Sequence, residues 1–199
     1  MKIGLTGGIA CGKSTVAGML AERGAVLVDA DQVAREVVLP GEPALEAVVR
    51  QFGQAVLNQD GTLNRSALGM IVFRDKVKLN ALESILHPVI RSRMQEKMNT
   101  YLEEDPARLV VADIPLLYET EQEDLYAGVM VVYVPAEVQV ERLMKREPDL
   151  SREQAQIRIK LQLDIEEKRE RADWVIDNSG SLEETARQVD DFYRTITQA

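Results

Sequence analysis

The stretch LTGGIACGKST, residues 5–15, places glycines, a lysine and two hydroxyl side chains directly after a short apolar run. Gly7, Gly12, Lys13 and Ser14 follow the GxxxxGKS spacing of a loop that wraps phosphate groups. Glycines permit the backbone conformations in which successive N–H groups point at phosphate oxygens, and the following helix adds its positive N-terminal end. The lysine neutralises phosphate charge, and the serine hydroxyl is a ligand for Mg²⁺. The spacing therefore predicts a nucleoside triphosphate site.

The alternative interpretation of this stretch is a plain glycine-rich turn between a strand and a helix. An apolar run precedes it, and Val16, Met19 and Leu20 form an apolar helical face after it. The full pattern in this strand-to-helix setting favours phosphate binding. The pattern leaves open what happens to the nucleotide.

Five short apolar runs predict the strands of the fold. Continuous apolarity is typical of strands that are covered on both faces, so we expect a parallel sheet between layers of helices. Helix starts are indicated at Pro135 and at the capping-box pair Ser181 and Glu184. The five runs are residues 2–6, 25–30, 108–114, 128–134 and 173–178.

Two long connections interrupt the predicted sheet. The segment after the second run is too long for a simple crossover and has a mostly helical pattern, so we interpret it as an inserted helical lobe, about residues 32–107. A second excursion, about residues 142–160, has a capping box at Ser151 and Gln154 and predicts two short helices that form a lid. The core then consists of about residues 1–31, 108–141 and 161–199 within one domain.

Composition excludes several kinds of site. The net charge of −9 argues against a broad nucleic-acid or anionic-membrane surface. A single cysteine and a single histidine exclude an intrachain disulfide, a cysteine-cluster zinc site and a histidine-rich metal site. No apolar run reaches the length of a membrane span, and the N-terminus lacks the features of a signal peptide. We therefore expect a cytoplasmic protein.

Missing motifs narrow the class of nucleotide-binding protein. The chain lacks the guanine-reading Asn-Lys-x-Asp of a GTPase and the Leu-Ser-Gly-Gly-Gln of a transporter ATPase. A small-molecule kinase instead needs a carboxylate near the acceptor hydroxyl, arginines over the transferred phosphoryl group and an acceptor lobe. Asp31 at the end of the second run fits the carboxylate, with a helix N-cap as its alternative role. Asp113 ends the third run and is a candidate for Mg²⁺ through water, or for a plain turn role.

Arginines for the phosphoryl group are found in the predicted lid. Arg142 and Arg146 are four residues apart and so share a helix face. A guanidinium suits a phosphoryl group that becomes enclosed as a lid closes. The alternative is a solvated charged face, paired with Glu137, Glu141 or Glu147.

These residues, taken together with further segments, resemble the dephospho-coenzyme A kinase family. The combination of DAD with AR, of LHP.I and of PLL.E is specific for it, and the matching pieces follow the family's order over nearly the whole chain. They are LTGGIACGKS, VDADQVAREVVLPGEPAL, DGTLNRSALGMIVF, LNALESILHPVIR, VVADIPLLYE, RLMKRE and ADWVIDNSG. The resemblance implies an α/β, P-loop NTPase-type three-layer fold with a five-stranded parallel sheet, an inserted acceptor lobe and a lid.

The resemblance also implies a reaction and a set of site residues. The reaction is transfer of the γ-phosphoryl group of ATP, with Mg²⁺, to the ribose 3′-hydroxyl of dephospho-coenzyme A, in the final step of coenzyme A biosynthesis. Catalysis falls on Asp31, Lys13 and Arg142. ATP binding falls on Gly7, Gly8, Ile9, Ala10, Cys11, Gly12, Lys13, Ser14, Thr15, Arg142 and Asn178. Acceptor binding falls on Asp31, Arg35, His87, Arg91, Leu116 and Glu119. The candidate Mg²⁺ ligands are Ser14, with Asp31 and Asp113 as further ones.

His87 and Cys11 each have two candidate roles. His87 precedes Pro88 at a predicted helix start, where capping or packing is the alternative to an acceptor-side role. Ala10 and Cys11 stand where many relatives have Gly-Ser, which puts a thiol inside the loop. A helix N-terminus and Lys13 nearby lower a thiol's pKa, so we hypothesise a modifiable Cys11 that ATP shields; an inert small residue is the alternative.

Two rival functions share features with this chain. A nucleoside or nucleoside-monophosphate kinase shares the loop, the lid arginines and the length, but not the segments around Asp31 and His87. A P-loop regulatory protein that switches a partner predicts slow turnover and an exposed partner surface, which this acidic chain of 5% aromatic content does not indicate. We expect a monomer or small homo-oligomer that binds ATP and dephospho-coenzyme A, and neither nucleic acid nor membrane.

Overall fold

The computed structural model describes residues 1–197. Its five strands form one parallel sheet in the order β2-β3-β1-β4-β5, and each strand lies within one of the five predicted apolar runs or extends it by one residue. The strands are β1 (Lys2–Gly7), β2 (Val26–Asp29), β3 (Val110–Asp113), β4 (Val129–Tyr133) and β5 (Trp174–Asp177).

The central strands are buried on both faces, as continuous apolarity requires. Every residue of β3 and β4 is buried, and Ile3 and Leu5 of β1 have no exposed surface. The register pairs Leu5 with Asp113 on one side and with Met130 on the other. The carboxyl ends of β1 and β3 therefore lie side by side, where parallel sheets place their binding sites.

Helices connect the strands, and several begin where the sequence predicts. Capping boxes at Ser151 and Ser181 start α7 and α9, while Pro135 is the N-cap of α6, one residue before its predicted place. The helices are α1 (Lys13–Glu22), α2 (Ala30–Glu36), α3 (Pro43–Phe52), α4 (Arg65–Val72), α5 (Lys76–Glu104), α6 (Ala136–Arg146), α7 (Arg152–Lys160), α8 (Ile165–Glu170) and α9 (Leu182–Thr197).

The chain divides into two compact units. The first contains Met1–Val28 and the chain from Thr100 onward, and its core is the sheet with the helices that cover it. The second is Asp29–Asn99, which is helical and has a small apolar core. The buried members of that core are Val48, Val56, Leu68 and Val72.

The predicted helix start at Pro88 is wrong. Pro88 lies inside α5, whose 29 residues run from Lys76 to Glu104. A proline lacks the N–H that continues a helix, so the local rule predicts a boundary there. Packing overrides it, because α5 contributes apolar side chains to the core of the second unit before the proline and buries Met94 and Met98 after it.

Among residues 1–197, no helix combines the length and the apolar content that a membrane crossing requires.

Candidate active site

The phosphate loop, residues 7–14, connects β1 to α1 and takes the conformation that its glycines allow. Gly12 has φ +86° and lies directly before α1, which no side chain caps at this end. A Cβ on Gly12 would collide with the side-chain amide of Asn178, so this position excludes every other residue on two grounds. The uncapped end leaves backbone N–H groups of the first turn directed out of the helix, where an anion is stabilised.

A cavity of about 400 Å³ lies over the phosphate loop. Its walls are residues 7–10 and 12–14 of the loop, with Pro115, Arg142, Arg146 and Gln162. Lysine and arginine side chains thus face the same space as the loop backbone. This arrangement concentrates positive charge locally in a chain whose net charge is −9.

Lys13 and Asp113 form an ion pair at the edge of this cavity, with 18% and 11% of their side chains exposed. The two residues come from neighbouring strands, because Lys13 follows β1 and Asp113 ends β3. The pair holds the Lys13 ammonium group next to the phosphate loop. The structure thus shows Asp113 orienting Lys13, a role that the sequence did not indicate.

Asn178 forms hydrogen bonds with α6, which leads into the lid, with the phosphate loop and with α9. Its backbone carbonyl accepts a hydrogen bond from the Arg142 guanidinium at 2.8 Å. Its side-chain amide donates to the Cys11 carbonyl at 2.8 Å and accepts from the Thr185 hydroxyl at 2.9 Å. Asn178 is 5% exposed, so its side chain positions the loop and its carbonyl positions Arg142.

The expectation of a lowered thiol pKa at Cys11 is wrong. Cys11 has no exposed surface, and burial raises its pKa above the ordinary value, since a thiolate there would lose its hydration. Lys168 and Arg142 act in the opposite direction but more weakly. The interpretation of Cys11 as an inert small residue therefore fits the structure better than a reactive thiol.

Glu119 and Lys168 form an ion pair in which the lysine is buried and 19% of the glutamate side chain is exposed. The Glu119 Oε1 accepts from Lys168 Nζ at 2.7 Å and from the Leu163 backbone N–H at 3.0 Å. Lys168 is completely buried and also donates to the Pro115 carbonyl at 3.4 Å. Glu119, expected on the acceptor side, is thus anchored within the first unit, whereas Leu116 remains 42% exposed.

The remaining predicted residues lie in the second unit. Asp31 is in the first turn of α2 and exposed, with Arg35 one turn further along the same helix. The N-cap of α2 is Asp29, whose carboxylate accepts from the backbone N–H groups of Asp31 at 2.7 Å and Gln32 at 3.3 Å. The alternative role of Asp31 as an N-cap is therefore wrong, and its carboxylate does not cap α2.

His87 and Arg91 are four residues apart in α5 and share one helix face, and each is half-buried. Within residues 1–197, no group of three or more histidine, cysteine, aspartate or glutamate side chains has the geometry of a metal site.

Sequence reasoning missed three side chains around the cavity: Gln139, Gln162 and Lys168. Gln139 and Gln162 contact the phosphate loop, at sequence separations of 130 and 153 residues. Glutamines on predicted helices carry no local pattern that distinguishes them from solvent-facing ones. Only the capping-box boundaries of the lid indicated that this part of the chain folds back.

A family model described as "CoaE: Dephospho-CoA kinase" matches residues 1–184. This chain belongs to the dephospho-CoA kinase family. A dephospho-CoA kinase of Halalkalibacterium halodurans is 49% identical over 194 residues, 98% of this chain and 96% of that protein. One of Symbiobacterium thermophilum is 48% identical over 96% of this chain and 80% of the relative.

Solved structures agree with the family. The dephospho-CoA kinase from Campylobacter jejuni is similar with a TM-score of 0.77 at 32% identity, covering 100% of this chain and 98% of that one. The crystal structure of TT1252 from Thermus thermophilus is similar with a TM-score of 0.79 at 39% identity, covering 98% and 97%. The expected P-loop kinase fold and dephospho-CoA kinase function are confirmed, and a nucleoside or nucleoside-monophosphate kinase is not favoured.

Proposed function

We propose that this dephospho-CoA kinase transfers the γ-phosphoryl group of ATP to the ribose 3′-hydroxyl of dephospho-CoA, which yields CoA and ADP. The observation that carries the proposal is the cavity in which the phosphate loop, Lys13, Ser14 and Arg142 meet. A loop backbone, a lysine and an arginine facing one space are what a transferring phosphoryl group requires.

The phosphate loop and Thr15 bind the triphosphate of ATP. The uncapped N-terminus of α1 directs backbone N–H groups at phosphate oxygens, and Lys13 neutralises the charge that moves between the β- and γ-phosphates. Arg142 stabilises the charge of the transferred group, with Arg146 next to it on the cavity wall. Asn178, an expected ATP-binding residue, supports this site through its contacts with the loop and Arg142.

Mg²⁺ fits the oxygen donors near the loop. The Ser14 hydroxyl lies in the first turn of α1 on the cavity wall, and the Asp113 carboxylate lies beside Lys13. Mg²⁺ bound with nucleotides takes few protein oxygens together with phosphate and water oxygens, which matches this donor set. Ser14 is the proposed ligand, with Asp31 and Asp113 as further candidates, and the metal would neutralise phosphate charge.

Asp31 is the proposed catalytic base. It orients the acceptor hydroxyl and takes its proton, which a carboxylate of ordinary basicity can do late in a loose transition state. Because Asp29 caps α2, the Asp31 carboxylate is not used for that purpose. The helical lobe, residues 32–107, holds the acceptor through Arg35, His87 and Arg91. Leu116 and Glu119 contribute from the segment after β3.

The lid, residues 142–160, closes over the phosphates and brings Arg142 to the transferred group. We further propose that the enzyme acts in the cytoplasm as a monomer or small homo-oligomer.

The test is ADP formation from MgATP with a panel of acceptors, with each product identified by mass. The panel contains dephospho-CoA, AMP, CMP, a nucleoside and no acceptor. We expect turnover with dephospho-CoA alone and a product heavier by one phosphate. Turnover with AMP, CMP or the nucleoside, or with none of the panel, would contradict the proposed acceptor.

A further inference from the structure

Both backbone polar groups of Ile9, in the phosphate loop, are held by glutamine side chains. The Ile9 N–H donates to Gln162 Oε1 at 2.7 Å. The Ile9 carbonyl accepts from Gln139 Nε2 at 2.8 Å. A backbone N–H can only donate and a carbonyl can only accept, so these contacts fix which way each amide faces.

The two glutamines flank the lid, Gln139 before it and Gln162 after it. Gln139 lies on α6, three residues before Arg142, and is 1% exposed. Gln162 follows the end of α7, lines the cavity and is half-buried. A Cβ on Gly8 would collide with the Gln139 amide, so the loop is shaped to receive this side chain. The segments before and after the lid thus form hydrogen bonds with the same loop residue, Ile9.

The residue after Ile9 is held in an unfavourable conformation. Ala10 has φ +62°, in the left-handed region that a residue with a Cβ avoids. Ala10 also lines the cavity, so its backbone conformation shapes the phosphate site. Conformations of this kind persist only where the surrounding structure determines them. The Gln139 hydrogen bond acts on the Ile9–Ala10 peptide, which leads directly into this residue, and the Gln162 hydrogen bond acts on the Gly8–Ile9 peptide before it.

We propose that Gln162 and Gln139 are positioning residues that hold Ala10 in its left-handed conformation and so keep the phosphate loop in the shape that binds ATP. The inference rests on the proposed role of the loop as the ATP site. Because both glutamines belong to segments that flank the lid, lid position and ATP affinity are linked through Ile9. The glutamines act on ATP through the loop backbone and not by touching the phosphates.

The experiment is a double-mutant cycle between Gln162→Met and Ala10→Gly. Methionine has nearly the length and volume of glutamine but does not replace the strong amide acceptor, whereas glycine removes the penalty for a positive φ. KM for ATP and kcat are measured at saturating dephospho-CoA, MgATP affinity is measured by calorimetry, and the thermal midpoint reports stability. Gln156→Met, at an exposed site on α7, is the matched control.

We expect Gln162→Met to weaken MgATP binding and raise KM for ATP by about three- to tenfold, with kcat within about twofold, as the loss of one hydrogen bond implies. In the Ala10→Gly background the same substitution should cost less than about twofold, because glycine needs no support at that φ. Gln156→Met should leave ATP affinity unchanged.

Equal losses in both backgrounds would overturn the inference, since Gln162 would then act on ATP itself. A lower thermal midpoint with unchanged ATP affinity would also overturn it, because that result describes a structural role only. The proposed function fails separately: if Lys13→Ala left MgATP affinity unaltered, the loop would not be the ATP site. Gln139→Met is a second variant from which we expect a similar rise in KM for ATP.

Discussion

The phosphate loop and the turn from β2 into α2 both carry residues proposed to act on substrates, yet they are held in place in different ways. Side chains 100 to 167 residues away contact the loop, from Asp113, Gln139, Gln162 and Asn178. The turn before Asp31 is held by Asp29, two residues earlier. The loop therefore depends on the completed fold, whereas the Asp31 turn is determined locally.

Replacing Lys13 tests the cation of the phosphate loop. Lys13→Ala should lower kcat/KM for ATP by about 10³-fold, because it removes the cation next to the transferred phosphate and breaks the ion pair with Asp113. Steady-state kinetics with varied ATP measures the loss. Lys145→Ala, at an exposed site on α6, is the control, and a comparable loss in that variant would mean that general charge matters more than the loop.

Replacing Asp31 tests the locally held turn. Asp31→Asn should lower kcat by about 10²-fold or more while MgATP affinity stays unchanged, since proton acceptance is lost and phosphate binding is not. Turnover and calorimetric ATP binding separate the two effects. Asp60→Asn, on an exposed turn of the same unit, should behave like the wild type. Near-normal turnover of Asp31→Asn would remove Asp31 from the role of base.

Substitutions at two glycines distinguish an effect on loop geometry from an effect on helix stability. Gly12→Ala should weaken MgATP binding by about tenfold or more, because its φ of +86° and the adjacent Asn178 amide both oppose a side chain. Gly18→Ala, on α1 where a Cβ meets nothing within 4 Å, should leave ATP affinity unchanged and stabilise the fold by about 1 kcal/mol. Equal ATP binding by the two variants would mean that remote packing does not shape the loop.

The smallest expected effect concerns Cys11, which lies inside the phosphate loop. Because burial raises its pKa, the protonated Cys11 thiol contributes to the free energy of unfolding, and this contribution is fully present below the ordinary thiol pKa. That contribution is lost as pH rises through the folded value, so the free energy of unfolding should decline more above the ordinary pKa than in Cys11→Ala. Denaturant unfolding between pH 7 and 10 measures the difference. Parallel pH profiles for the two proteins would contradict the raised pKa.

Local signals in the sequence were sufficient for much of the fold. Continuous apolar runs predicted the five strands, and the capping-box pairs that begin at Ser151 and Ser181 predicted two helix starts. Each of these features is decided within a few residues. The local rule failed at Pro88, where apolar packing along α5 carries the helix past a residue that breaks it in isolation.

The site was predictable only where its functional residues form a compact sequence motif. The GxxxxGKS spacing located the loop, but the pKa of Cys11 depends on burial by distant segments. The glutamines on Ile9 and the buried Lys168 depend on the same long-range packing. The glutamine contacts span 130 and 153 positions and the Lys168 contact with Pro115 spans 53, so the sequence near each residue does not indicate its partner.

The glycines of the phosphate loop also limit how the loop can be exchanged in protein engineering. Gly8 and Gly12 have no space for a Cβ because amide groups of Gln139 and Asn178 fill it from behind. A loop transplanted from another nucleotide-binding protein would carry the motif but not the side chains that back it. A successful graft into this scaffold would have to treat the loop and those two amides as a single module, exchanged together or not at all.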